Sequence, residues 1–366
     1  MAWSLIGLAE LKATLGRIIQ SGRFPHALLL TGPPQGGKFT LAKDLAMALN
    51  CLEPGPDTAP CGQCLSCRKI IAGNHPDFLV CQPKGAGQII TIDDIRELRQ
   101  SLGYRPFEGR FRVVIIREAD RFQETGGSSL LKTLEEPGPA TVLILTAISE
   151  SRVMTTLVSR CVRLRVPPLP RAEILAALKE KRSLSGPRAE LLAGLSGGAL
   201  GAALGLDEEQ AWERWVQLDR LWGLGLDGSV AGLRAVSEWQ AEFSAETDRL
   251  KKLDTADAKK SESEGEEEIA GGRRRAFFNS LITYLRLWWR DTLVMASLGD
   301  RKRMAGPPPT PAQRKWAQSL GRGDFDFYFQ AIDLLEDSLN RQIRQDLAIA
   351  NYWLSVLTRP RKSPVK

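Results

Sequence analysis

No apolar run in this sequence approaches the ~18–20 residues that a helix needs to span a bilayer, so a membrane-spanning protein is not expected. The first residues, "MAWSLIGLAELKATL", lack both a basic start and a small-residue cleavage site. A secretory signal is therefore not expected, and a cytoplasmic location is. No internal repeat is visible, which sets aside a repeat array. Neither sign of charge is scarce: 50 Lys and Arg stand against 43 Asp and Glu, a net charge of +7. That balance allows a nucleic-acid or acidic partner without requiring one. Bulky apolar side chains are nearly missing from one segment, "KKLDTADAKKSESEGEEEIAGGRRR", residues 251–275. Such a segment cannot bury enough surface to offset its ordering entropy, so a disordered insert is expected there.

What is present is a chain of 366 residues, long enough for two or three domains. The first half alternates apolar runs with helical patterns. "ALLLTG", "DFLVC", "FRVVII", "TVLILTA" and "CVRLRV" read as strands. "KFTLAKDLAMALN", "TIDDIRELRQSL" and "GGSSLLKTLEEP" read as helices, the last stopped by Pro137. Continuous apolar strands between helices predict a parallel sheet covered on both faces. Near Pro167 the character changes to helix throughout, and eight of the nine tryptophans follow. The expected class is α/β followed by all-α. The expected divisions are 1–166, a small helical domain at 167–207, and a larger helical domain at 208–366.

Three constellations carry chemistry. In "LLLTGPPQGGKFTLA", Gly32, Gly37 and Lys38 have the G-x-x-x-x-G-K spacing of a phosphate-binding loop, between a strand and a helix. Backbone N–H groups of such a loop cradle phosphates and the lysine reaches the terminal ones. The next residue should offer a hydroxyl to Mg²⁺, but it is Phe39, and Thr40 is turned away by ~100° of helix. The second metal ligand should be an acid after "VVII". The chain has Arg117 there, followed by Glu118, which is left to orient a water with no metal partner. Two coupled requirements for hydrolysis fail together. Secondly, Cys51, Cys61, Cys64 and Cys67 form C-x9-C-x2-C-x2-C, a spacing for a structural Zn²⁺ held by four thiolates, with free thiols or a redox pair as the alternative. Cys81 and Cys161 fall on strands and read as core residues. Thirdly, "LVSRC" places Arg160 at the edge of the last strand, where it could equally be an ordinary surface arginine.

"FPHALLLTGPPQGGK", the cysteine cluster, "GNHPDF", "SLLKTLEEP" and "SRC" occur here in the order seen in bacterial DNA polymerase III clamp-loader subunits, and the chain resembles that family over residues 1 to about 205. Beyond that, "NRQIRQDLAIANYWLSVL" is similar to the family's last helix. The resemblance implies an AAA+ P-loop domain with a zinc module at 51–67, a helical lid and a helical collar. It implies a complex that opens a ring-shaped sliding clamp and places it on primed DNA during replication, within the polymerase III holoenzyme. The family has motor branches (gamma/tau) and a non-motor branch (delta-prime). This chain departs from the motors at Phe39 and Arg117. It departs again at Ala147 and Ile148, where motors carry a polar sensor, and at Gly201, where they carry an arginine reaching the γ-phosphate. All four departures resemble the non-motor branch. The resemblance also makes Arg160 an arginine finger acting on a neighbouring subunit's ATP. It implies gamma/tau and delta subunits as partners, with the clamp met indirectly. It carries structural Zn²⁺ as the cofactor and puts ATP binding at Gly32, Gly37 and Lys38 in doubt. Competing readings are an active motor ATPase of the same complex, a stand-alone zinc-dependent DNA-binding protein, and a small-molecule P-loop kinase.

Overall fold

A computed structural model describes residues 3–84, 89–102, 105–122, 124–226, 230–258, 272–320, 324–341 and 345–357. Its contacts group the chain into two compact units, one holding residues 1–173 and 198–202, the other 174–197 and 203–366.

The first unit is built on a five-stranded parallel sheet. In chain order the strands are β1 (Ala27–Thr31), β2 (Phe78–Cys81), β3 (Arg112–Ile116), β4 (Thr141–Ala147) and β5 (Val162–Arg165). Their order across the sheet is β2-β3-β4-β1-β5, with Leu29 opposite Leu145 on one side and Arg163 on the other. Every residue of β1, β3 and β4 is buried. Strand side chains alternate between faces, and the alternation sorts them into two apolar layers. Leu28, Leu30, Val113, Ile115, Val142 and Ile144 share one layer with Leu41, Leu45 and Ile70. Leu29, Val114, Ile116, Leu143 and Leu145 share the other with Ile95, Leu98, Leu130 and Leu134. Helices α1 (Ala9–Gln20), α2 (Lys38–Asn50) and α3 (Leu65–Ala72) supply the first layer, and α4 (Ile92–Leu102), α5 (Glu124–Glu135) and α6 (Thr155–Val158) the second. The continuous apolar strands are thus the expected consequence of a sheet covered on both faces.

The second unit is helical. The remaining helices are α7 (Arg171–Arg182), α8 (Pro187–Leu195), α9 (Leu200–Gly205), α10 (Glu208–Leu226), α11 (Val230–Ala258), α12 (Gly272–Leu298), α13 (Pro311–Ser319), α14 (Asp324–Asn340) and α15 (Gln345–Leu357). The unit's core is a tryptophan cluster. Trp222 lies with ring centroids 4.2 Å from Trp353, 5.0 Å from Trp289 and 5.3 Å from Trp288. Two indole N–H groups are satisfied inside it, Trp316 Nε1 donating to the Trp222 carbonyl and Trp289 Nε1 to Tyr352 Oη, whereas Trp222 Nε1 is buried with no hydrogen-bond partner among the described residues. Large flat rings with one polar atom fill such a core at low conformational cost.

Two sequence expectations meet a different arrangement. The stretch 167–207 does not form a unit of its own. α8 packs on α10 and α12, whereas Gly198 and Gly201 are tied by backbone hydrogen bonds to Leu169 and Gln35 in the sheet unit. Both ends of the segment 251–275, expected to be disordered, are helical. α11 continues through residue 258 and α12 starts at 272, so a low apolar content did not end either helix. Residues 259–271 of that insert lie outside the described residues.

Candidate functional site

The phosphate loop leaves the end of β1 and enters α2. Gly37 caps α2 in the left-handed region, φ 89°, which a residue with a side chain adopts only with strain. The Lys38 ammonium folds back on the loop and donates to the carbonyls of Gly32 at 2.7 Å and Pro33 at 2.6 Å. Burial pushes the Lys38 pKa below its ordinary value, opposed by the carboxylates of Asp120 and Glu118. The two departures foreseen at the metal position touch each other. The Arg117 guanidinium lies over the Phe39 ring, 4.6 Å from its centroid, and Arg117 Nη1 donates to Gln82 Oε1 at 2.9 Å. The stack fastens the first turn of α2 to the end of β3 by cation–π attraction. Glu118, which the sequence left to orient a water, instead pairs with Arg121 at 2.7 Å.

The loop is closed from a third side. Gly201 N–H donates to the Gln35 carbonyl at 3.0 Å, and a Cβ at position 201 would lie 2.7 Å from that oxygen. A side chain cannot be added there without moving the backbone.

Arg160 sits in the turn between α6 and β5. Its Nε and Nη2 both donate to Glu135 Oε1, at 2.9 and 2.5 Å, and its Nη1 donates to the Thr156 carbonyl at 3.0 Å. Glu135 closes α5, two residues before the proline stop at Pro137.

The four cysteines of the spacing motif come together. Their sulfurs all lie within 4.8 Å of one another, an arrangement that can hold a metal ion. Cys51 follows α2, and Cys64 caps α3, accepting from Cys67 N–H. Backbone N–H groups of Cys64 and Gln63 point at Cys61 Sγ, at 3.2 and 3.4 Å, and hold its pKa down to about 6. Burial raises Cys51 and Cys67. Cys81 and Cys161 lie away from this group, one buried and one half-buried, and burial raises both to about 11.

Sequence reasoning passed over the acid in "GNHPDF". Asp77 is fully buried and accepts backbone N–H groups of Phe107, Glu108 and Gly109 at 2.7–2.9 Å, as well as Arg112 Nη2 at 3.0 Å. Its neighbour His75 meets Ser66 Oγ of α3 at 3.2 Å. The motif therefore anchors the loop before β3 and braces the cysteine module.

Residues 7–170 match the protein family described as "DNA polymerase III, delta subunit". Those residues, less than half of the chain, are similar to that family. The DNA polymerase III subunit delta' of Pseudomonas aeruginosa is 39% identical over 147 residues, covering 40% of this chain and 44% of that one. The DNA polymerase III subunit tau of Escherichia coli is 32% identical over 210 residues, covering 56% of this chain and 32% of that one. This chain thus spans less than half the length of each of these relatives. A gamma subunit-related protein of Thermotoga maritima overlays 93% of the chain at 17% identity with a TM-score of 0.40. Among the described residues no helix is long and apolar enough to cross a membrane.

Proposed function

We propose that this chain is a non-motor, delta-prime-type subunit of a DNA polymerase III clamp loader, acting in the cytoplasm. It assembles with gamma/tau motors and a delta subunit around primed DNA, and meets the sliding clamp through the complex. One observation supports the choice of non-motor over motor: Phe39 and Arg117, at the two positions expected to offer ligands to Mg²⁺, stack on each other. A guanidinium there repels a divalent cation, and a phenyl ring offers it no oxygen. Lys38 bonded to its own loop, and Gly201 bonded to Gln35, support the same reading. Arg160, held at the surface, is the chain's contribution to a neighbour's ATP site.

The test is reconstitution with purified motor and delta subunits. The chain alone should show no Mg²⁺-dependent ATP hydrolysis, and adding it should raise clamp- and DNA-stimulated hydrolysis by the motors. Arg160→Ala should remove part of that gain, since one site among several depends on it. The fork of hydrogen bonds to phosphate is lost in Arg160→Lys, so lysine should not rescue it. Mg²⁺-dependent turnover by the isolated chain would overturn the non-motor reading.

We also assign the cysteine cluster one structural Zn²⁺. Zinc–sulfur bonds of ~2.3 Å make a tetrahedron with edges of ~3.8 Å, and sulfur separations of 3.7 and 4.0 Å are present. Four thiolates leave no open position, so the role is structural. Metal analysis should give about one zinc per chain, and Cys64→Ser should lower it. Metal-free protein with four titratable thiols in the cluster would end the assignment.

A further inference from the structure

The "SLLKTLEEP" and "SRC" segments are two separate marks in the sequence, and the structure joins them at one contact: the Glu135 carboxylate on the Arg160 guanidinium. We infer that Glu135 is the positioning residue for Arg160, aiming its guanidinium outward. The inference rests on the trans-acting reading of Arg160 proposed above.

An arginine carries five N–H donors in a fixed plane. Nε–H and one Nη2–H go to Glu135 Oε1, and one Nη1–H goes to the Thr156 carbonyl. The second Nη1 hydrogen has only Ser159 Oγ, at 3.4 Å. One hydrogen on Nη2 therefore remains, and one on Nη1 is held only by that long contact, so the end of the fork is the side left for a further acceptor. Glu135 takes the side of the guanidinium and leaves the end that suits two oxygens of a phosphate. A flexible surface arginine has several χ angles to fix on meeting a ligand, and fixing them costs conformational entropy. Here α5 and the α6–β5 turn have ordered it in advance.

Stability does not account for the pair. Arg160 is 36% exposed and Glu135 49%, and ion pairs so open to solvent contribute little to stability. The carboxylate also lowers the net charge beside the finger, which by itself would weaken its grip on phosphate. Placement must outweigh that loss, and misplacement by about 1 Å can cost up to 10²-fold in rate.

The experiment uses the full chain in the reconstituted complex. Glu135→Ala, Glu135→Gln, Arg160→Ala and the Glu135→Ala/Arg160→Ala pair are compared for kcat and KM of stimulated ATP hydrolysis, and each isolated chain for its thermal midpoint. Glu135→Ala should remove most of the rate that Arg160→Ala removes, in kcat with KM for ATP unchanged. Glu135→Gln keeps an acceptor oxygen and should retain more of it. The double variant should be no slower than Arg160→Ala, and all thermal midpoints should agree. Normal rates in Glu135→Ala beside slow ones in Arg160→Ala would refute the positioning role and leave the trans role standing. A faster Glu135→Ala complex, or an additive double variant, would also refute it. Normal rates in Arg160→Ala would remove the trans role itself, and this inference with it.

Discussion

Arg112 and Asp77 meet at 3.0 Å with side chains 8% and 0% exposed, whereas Arg160 and Glu135 meet at 2.5 Å with side chains 36% and 49% exposed. Both pairs belong to the sheet unit, and in both a carboxylate receives a guanidinium. The surroundings make them different objects. Asp77 has no solvent to fall back on, and its remaining lone pairs are filled by three backbone N–H groups. The pair closes in on itself and ties β3 to the loop before it. The Arg160 pair leaves donors facing out. An arginine–carboxylate contact is therefore a statement about structure or about function according to what else the guanidinium still has to give.

The largest expected effect sharpens that contrast. Removing one partner of a buried pair leaves an uncompensated charge and costs about 3–5 kcal/mol. Asp77→Ala should lower unfolding stability by that order in urea denaturation, and Glu135→Ala by no more than about 1 kcal/mol. Equal losses in the two variants would break the comparison.

Acid should separate the pairs next. Burial alone would raise the Asp77 pKa. The N–H donors of Gly109, Phe107 and Glu108, together with Arg112, outweigh it and hold the carboxyl below the usual carboxylate range. A depressed folded-state pKa gives stability that is present above the unfolded value of about 3.9 and is lost as pH falls through the folded value. Stability of the natural chain should therefore drop steeply below about pH 4. In Asp77→Asn that part of the slope should be missing, and in Glu135→Gln it should persist. Denaturation midpoints measured across that range decide it.

Much of this was legible in the sequence, and the reason is local. Apolar runs in "TVLILTA" and "FRVVII" carry their own strand assignment because both faces are buried. The cysteine spacing carried the cluster because two C-x-x-C steps bring sulfurs together around one turn and a helix start. The contacts of Asp77 were not legible, since its partners lie about thirty residues along the chain and are mostly backbone. Glu135 was visible only as part of a quoted motif, because nothing in spacing says that the end of one helix meets the turn after another. Phe39 and Arg117 were read as two losses, each at its own position. That they form one contact is a fact of tertiary packing. The helical ends of the insert were misread for the opposite reason: polar composition argues against a core, and α11 continued without needing one there.

Another arginine of the unit, Arg117, gives the smallest expected effect and the finest test of the contrast. Arg117 is half-buried, its Nη1 is bound to Gln82, and its charge rests on a ring instead of a carboxylate. It should behave between the other two: structural like Arg112, yet weak like Arg160–Glu135. Cation–π contacts at partly exposed sites contribute about 0.5–1 kcal/mol. A double-mutant cycle of Phe39→Leu and Arg117→Gln isolates that contact, because residues in direct contact show coupling and independent ones add. The coupling free energy from urea denaturation should be about 0.5–1 kcal/mol in favour of the natural pair. Each single variant should lose stability by a similar amount, and addition of Mg²⁺ and ATP should move none of the four midpoints. Coupling near zero would mean that the ring and the guanidinium are neighbours without being partners. A midpoint of the natural chain that rises with Mg²⁺ and ATP would show that nucleotide displaces the stack, and Arg117 would then belong with Arg160 as a donor held ready for phosphate.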